Sequence, residues 1–290
     1  MSIRQLQHVI ESIPTSDGAG VKLRRSIGSQ RGLYVDPFLM LDEFSTDNPE
    51  DYIAGFPSHP HRGFETVTYM LEGHLLHEDH MGNRGDLKSG GAQWMRAGRG
   101  IIHSEMPQQT QGRLRGFQLW VNLPALEKMT PPWYRDIEPH EIPQVTLAEG
   151  GSARVIAGSI NVAGIVTPGV ITGHATEPIY LDVELPNGSA FHYYLESNFS
   201  AFLYPYEGAL QVGAIGQSRE LKPQSAGVLS DGDQITVVAQ EGPARFLLIA
   251  GKPLKEPVVQ YGPFVMNTQK EVEQALRDYQ NGTLTVIDPA

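Results

Sequence analysis

The chain has no cysteine, which excludes a disulfide framework and any thiolate metal site. A reducing compartment is compatible with that absence. Long apolar runs are missing too: no stretch approaches the roughly twenty residues a membrane helix needs, so no membrane association is expected. Basic residues are in deficit, with 22 Lys and Arg against 33 Asp and Glu and a net charge of -11. Such a surface repels phosphate backbones, and direct nucleic-acid binding is not expected. The one short basic run, Lys22-Leu23-Arg24-Arg25, reads as a solvated face. The first twenty residues carry Arg4 and Glu11 and no apolar core, so a secretory signal is not expected and a cytoplasmic location is.

What is present points to strands. The 290 residues are 40% hydrophobic, enough for one large or two small domains. Gly (31) and Pro (21) are spread along the chain rather than massed, as in an all-β protein with many turns. Thr66–Leu71, Phe117–Val121, Tyr180–Leu185, Gln234–Val238 and Phe246–Ala250 have strand length, and many are rich in β-branched and aromatic residues. Helical periodicity is confined to the end, where Val272, Ala275, Leu276 and Tyr279 recur at i, i+3, i+4 and i+7. Asn267 or Thr268 caps that helix and Asn281-Gly282 ends it.

A weak repeat divides the rest. Tyr69-Met70-Leu71-Glu72-Gly73 is similar to Tyr204-Pro205-Tyr206-Glu207-Gly208, and Phe117–Val121 to Phe246–Ala250. The expected division is therefore two related β-domains, 1–135 and 136–250, followed by an extension and helix over 251–290. Trp133 to Pro143, rich in proline, is read as the linker.

The histidines suggest chemistry. In His59-Pro60-His61 and in His103-Ser104-Glu105 the potential ligands are two positions apart. On an extended strand, residues i and i+2 point to one face. If the two strands are neighbours, three imidazoles and a carboxylate converge, a donor set without thiol that suits Fe(II), Mn, Ni, Co or Cu. No comparable cluster occurs in the second half of the repeat. A second group, His74, His77 and His80, precedes the turn Met81-Gly82-Asn83-Arg84-Gly85. His80 reads as an exposed strand end and His77 as lying near a pocket mouth, neither of them a metal ligand. Gly98-Arg99-Gly100 reads as a tight turn whose glycines let the backbone pass close to the cavity. Trp94, Met95, Phe56, Met70 and Trp120 read first as core and second as pocket lining.

In sequence, His59-Pro60-His61-Arg62-Gly63-Phe64-Glu65-Thr66-Val67-Thr68-Tyr69, Ala97-Gly98-Arg99-Gly100-Ile101-Ile102-His103-Ser104-Glu105-Met106-Pro107, Gln118-Leu119-Trp120-Val121-Asn122-Leu123 and Gly262-Pro263-Phe264-Val265-Met266-Asn267-Thr268 together resemble the pirin family of bicupins. The resemblance covers most of the chain and is strongest over residues 55–125. It implies two cupin-type β-barrels facing each other and a short C-terminal helix. It also implies one metal, most often iron, in the N-terminal barrel, with none in the second. The family's ligands carry over as His59, His61, His103 and Glu105. General cupins take their carboxylate a few residues after the His pair, which here is Glu65. Glu105 is preferred because it shares a strand face with His103, leaving Glu65 a supporting hydrogen bond or a turn.

Two functions follow from the resemblance. The first is a metal-dependent dioxygenase of the quercetin 2,3-dioxygenase type, using a flavonol and O2, with Glu105 as general base toward the 3-hydroxyl. The second is an iron-binding regulatory protein acting through a protein partner, a transcription factor or a metabolic enzyme.

Overall fold

The computed structural model describes residues 2–286, and the described chain is strands and turns apart from two short 3-10 segments and one helix, Gln269–Gln280. Each of the runs singled out by β-branched and aromatic content lies in a strand. The longest, Phe64–Glu72 and Leu114–Asn122, are buried on both faces along most of their length, while Arg84–Lys88 alternates exposed and buried. Continuous apolar runs thus mark central strands, and alternation marks a peripheral one.

The chain divides into two units. Among the described residues, one comprises 14–25, 38–139 and 254–286; the other comprises 2–13, 26–37 and 140–253. Each is a cupin-type β-barrel built from a seven-stranded and a four-stranded antiparallel sheet. In the first, the large sheet runs in the order Trp133–Ile137, Ala92–Arg96, Phe64–Glu72, Leu114–Asn122, Phe38–Thr46, Val21–Arg25, Ile13–Asp17. Its small sheet runs Phe56–His61, Ile101–Pro107, His74–Asp79, Arg84–Lys88. In the second, the orders are Leu6–Glu11, Ser225–Leu229, Ser200–Glu207, Ala244–Gly251, Ile179–Leu185, Ser152–Ala157, Gln144–Thr146 and Ala190–Tyr194, Gln234–Val238, Leu210–Val212, Arg219–Leu221. The strands that carry the sequence repeat, Phe64–Glu72 with Ser200–Glu207 and Leu114–Asn122 with Ala244–Gly251, hold the third and fourth places of their sheets.

The continuous divisions 1–135, 136–250 and 251–290 differ from this arrangement at four places, one of them residues 26–37, which belong to the second barrel. Each large sheet needs an outer strand beside its second one. The first barrel takes that strand from the chain that follows, Trp133–Ile137, so the expected linker shrinks to the stretch after Ile137. The second takes it from the N-terminus, where Leu6–Glu11 pairs with Ser225–Leu229. Buried Arg4 fixes that strand by donating to the carbonyls of Gly232 (2.9 Å), Phe199 (2.8 Å) and Glu196 (2.8 Å). The residues after 253 belong to the first barrel. The Lys22–Arg25 run is also less solvated than expected, since Leu23 is buried and Arg25 makes a two-pronged ion pair with buried Asp42, both contacts 2.7 Å.

The C-terminal return is tied to the strand that carries the histidine pair. Thr268 caps the helix in a reciprocal box with Glu271, and Val272 and Ala275 are its buried face. The hairpin Val259–Tyr261 and Phe264–Met266 meets the chain just after His61: Arg62 N–H donates to the Pro263 carbonyl, and Val265 N–H donates back to that of Arg62. The buried Arg62 side chain donates to the Arg99 and Leu284 carbonyls and pairs with Asp278 of the helix at 2.6 Å. Gly63 follows with φ +90°, and a Cβ there would lie 2.0 Å from the Val265 carbonyl oxygen. Gly63→Ala is therefore expected to cost at least about 2 kcal/mol, from the left-handed backbone and the displaced hairpin together, read as a lowered urea midpoint. An unchanged midpoint would show that the hairpin yields freely.

Candidate metal centre

The two histidine-bearing stretches are neighbouring antiparallel strands. Ile101–Pro107 pairs with Phe56–His61 so that His103 stands opposite His59 and Ile101 opposite His61. Same-face parity within each strand and this register together bring the three imidazoles into one place. The ligand-competent atoms of His59, His61 and His103 lie within 4.8 Å of one another. Ring centroids are 4.7 Å apart for His59 and His61, 4.3 Å for His59 and His103, and 5.0 Å for His61 and His103.

Their hydrogen bonding leaves lone pairs free. His59 Nδ1 sits 2.8 Å from the Pro57 carbonyl, so Nδ1 carries the proton and Nε2 the lone pair. His61 Nδ1 and His103 Nε2 are buried without a hydrogen-bond partner. Orphaned buried ring nitrogens are costly, and two such rings facing the His59 ring fit a divalent ion. Burial pushes both His61 and His103 well below the ordinary imidazole range, and the neighbouring imidazoles add to the effect. Both are thereby held neutral, the form that ligates. Trp120 and Phe64 set their rings edge-on to His61, at 5.3 and 5.1 Å, and form an apolar wall beside it.

Glu105 lies on the same strand as His103 and is buried, but its carboxylate is not part of the three-histidine group. A register shift between His103 and Glu105 separates them along the strand. The carboxylate is held instead by two donors, Thr68 Oγ1 on Oε1 and Gln118 Nε2 on Oε2, each at 3.1 Å. The direction of that chain is fixed at its far end, where the Trp120 indole N–H, which can only donate, reaches Gln118 Oε1 at 3.3 Å. Glu105 Oε2 thus accepts from Gln118, and the Thr68 hydroxyl faces Oε1.

Glu65, the alternative carboxylate, is on the opposite face of its strand from Thr68 by parity. It accepts from Trp94 Nε1 (2.9 Å) and Arg96 Nε (2.7 Å), neither of them a site residue. His80 is exposed, as expected. His77 is not at a pocket mouth: it is buried, its strand pairs with the His103 strand, and its Nδ1 lies 3.3 Å from His103 Nδ1. The signal missed in the sequence is parity, since Leu75, His77 and Asp79 share one face and Leu75 is core. The glycines of Gly98-Arg99-Gly100 do form the turn, but they pass against the carbonyls of Thr130 and Leu284, where a Cβ would come within 2.3 and 2.4 Å. Of the apolar candidates, Trp120 meets the histidines, whereas Phe56 and Met70 pack with Leu75, and Met95 with Ile101.

A sequence profile of the Pirin family matches residues 20–121, and a profile of the Pirin C-terminal cupin domain matches residues 180–285. The chain belongs to the pirin family. It is similar to a Pseudomonas aeruginosa protein provisionally named a quercetin 2,3-dioxygenase, with 54% identity over 94% of this chain and 95% of that one. A pirin-like protein of Caulobacter vibrioides is 47% identical over 97% and 99% of the two chains. Among solved structures, a quercetin 2,3-dioxygenase from Acinetobacter baumannii superposes with a TM-score of 0.88 at 33% identity, covering 99% of this chain and 100% of that one.

Within this pirin the two barrels differ in what fills them. Strand order and register make Phe191 and Tyr193 the counterparts of His59 and His61, because Phe191 pairs with Val237 and Tyr193 with Ile235 as His59 pairs with His103 and His61 with Ile101. Val237 thus replaces His103, and Ala239, two residues on, replaces Glu105. The cross-strand pair Thr68 and Gln118 corresponds to Leu203 and Leu248. All six replacements are buried in one apolar cluster. At these positions the second barrel has apolar side chains, apart from the Tyr193 hydroxyl, which donates to the Ser159 carbonyl.

Proposed function

We propose that this pirin is a metal-dependent dioxygenase that opens a flavonol ring, of the quercetin 2,3-dioxygenase type, with His59, His61, His103 and Glu105 as the residues that hold the metal. The observation that carries the reading is the group of three converging imidazoles beside a buried, doubly hydrogen-bonded Glu105, in a chain that aligns over nearly its whole length with a quercetin 2,3-dioxygenase of known structure. The donor set suits a borderline divalent ion; Fe(II) is our assignment, with Mn, Ni, Co and Cu as alternatives. When bound, such an ion acts as a Lewis acid that lowers the pKa of a ligated hydroxyl.

The residues of the chain supply the rest. Glu105 accepts the proton of the flavonol 3-hydroxyl, and Thr68 and Gln118 keep its carboxylate aimed while it does so. Trp120 and Phe64 provide the apolar wall that an aromatic substrate requires. O2 adds across C2 and C4 of the anion, the ring opens, C3 leaves as carbon monoxide, and the proton returns from Glu105 to the carboxylate product.

The test is aerobic quercetin consumption by protein reconstituted anaerobically with Fe(II), followed at the flavonol absorbance beside a His61→Ala control. Metal-dependent loss of quercetin, absent in the control, is the expected result. Bound metal with no turnover for iron, manganese, nickel, cobalt or copper would overturn the catalytic reading and leave a partner-directed regulatory role.

A further inference from the structure

The first barrel has a fourth inward histidine that is outside the three-imidazole group. His77 is buried, stands opposite Glu105 in the strand register, and has its Nδ1 3.3 Å from His103 Nδ1. We propose that His77 and Asp79 form a relay that fixes His103 in the Nδ1–H tautomer, so that its Nε2 lone pair is presented to the metal. His77 is a positioning residue in this scheme. The inference rests on the reading of His59, His61 and His103 as metal ligands.

Two imidazole nitrogens facing each other share one proton, and either ring can own it. Asp79 decides the direction. Its side chain is buried, and Oδ2 lies 3.6 Å from His77 Nε2. The negative charge favours a proton on Nε2, leaving Nδ1 of His77 as an acceptor; the proton between the rings then belongs to His103 Nδ1. That leaves His103 Nε2 deprotonated; His103 Nε2 and His77 Nε2 are both buried without a hydrogen-bond partner, so Asp79 acts on His77 through its charge and not through a hydrogen bond. The opposite arrangement would put a proton on Nε2, where it would block ligation.

The relay is braced at both ends. Asp79 Oδ1 accepts from the backbone N–H groups of Met81 (2.8 Å) and Asn83 (3.1 Å), and Oδ2 accepts from Asn83 Nδ2 (2.9 Å). The turn after the strand therefore holds the carboxylate still. The His77 ring stacks on Tyr134 with centroids 5.0 Å apart and planes 20° from parallel, which fixes its rotation. His59 obtains the same tautomer from the Pro57 carbonyl. Residue Tyr134 belongs to the outer strand Trp133–Ile137, so that strand has a task at the site as well as in the sheet. The second barrel's counterpart of the His74–Asp79 strand presents Leu210 and Val212 inward to its apolar cluster, and no ligand there needs orienting.

The test has two arms on the full-length chain. In the metal-free protein with 15N-labelled histidine, His103 is assigned by its absence from a His103→Ala variant. It is expected to be neutral with its proton on Nδ1, the reverse of the tautomer favoured in water; a proton on Nε2 would overturn the proposal. In the second arm Co(II) affinity is measured by chelator competition, with the visible Co(II) spectrum as signature. His77→Phe keeps the stack on Tyr134 and removes the acceptor, and it is expected to weaken Co(II) binding roughly ten- to a hundredfold. His77→Asn, which places an amide oxygen near the Nδ1 position, is expected to restore most of it with the wild-type spectrum. Wild-type affinity and spectrum in His77→Phe would refute the relay. Failure of the wild-type chain to bind Co(II) would instead count against the metal site, and the tautomer would still decide the relay, as it would if His77→Phe failed to fold.

Discussion

Glu105→Gln is expected to retain weak metal binding and to lose turnover by roughly a hundred- to ten-thousandfold, the range spanned by general-base catalysis. The three imidazoles remain, so metal is still captured. The substituted amide cannot accept a proton. It keeps its oxygen toward Gln118 Nε2, fixed there by the Trp120 indole, and turns its N–H₂ toward Thr68 Oγ1, a hydroxyl that accepts as well as donates, so the network around it survives. Metal content and flavonol consumption measured on the same preparation separate the two effects. Full metal loading with undiminished turnover would remove Glu105 from the role of base.

The second large effect is on stability. Lys128 is buried, and its ammonium donates to Gly63 O (2.7 Å), Asn122 Oδ1 (2.6 Å) and Val265 O (3.0 Å). It joins three separate segments: the kink after His61, the end of a central strand and the C-terminal hairpin. Lys128→Met strands these acceptors, at about 1–3 kcal/mol for each one left without a partner, while relieving the cost of burying an amine. A net loss of roughly 2–4 kcal/mol is expected, read from the urea midpoint at constant m-value. Burial pushes the Lys128 pKa down from 10.5 to about 7, and this gives the difference a pH dependence with a definite sign. Between those values the unfolded chain binds the proton that the folded chain has released, so wild-type stability from this group rises with pH. The gap between wild type and variant should widen from about pH 7 toward 10.5; a gap that narrows would contradict the assignment.

The interior histidine shows where local reasoning stops. Parity placed His59 with His61 and His103 with Glu105, because side-chain direction along a strand depends only on the strand being extended. The same rule, applied to His77 from the core residue Leu75, points it inward, but nothing within its own segment says that His103 is what it meets. That contact depends on the pairing of His74–Asp79 with Ile101–Pro107. Thr68 and Gln118 likewise have no sequence pattern linking them to Glu105. They reach it because the large sheet curves over the small one.

The sequence by itself determined the all-β class, the repeat, the capped C-terminal helix and the spacing of His59, His61 and His103. Each of these is written in periodicity, turn residues or spacing within a few residues. The tertiary structure decided the rest: which chain end completes which barrel, which face Glu65 takes, what holds Glu105, and that the six matching positions of the second barrel pack into one core cluster. These depend on which strands become neighbours and in what register. Strand pairing over long separations is set by the packing of the whole sheet, and no local pattern carries it.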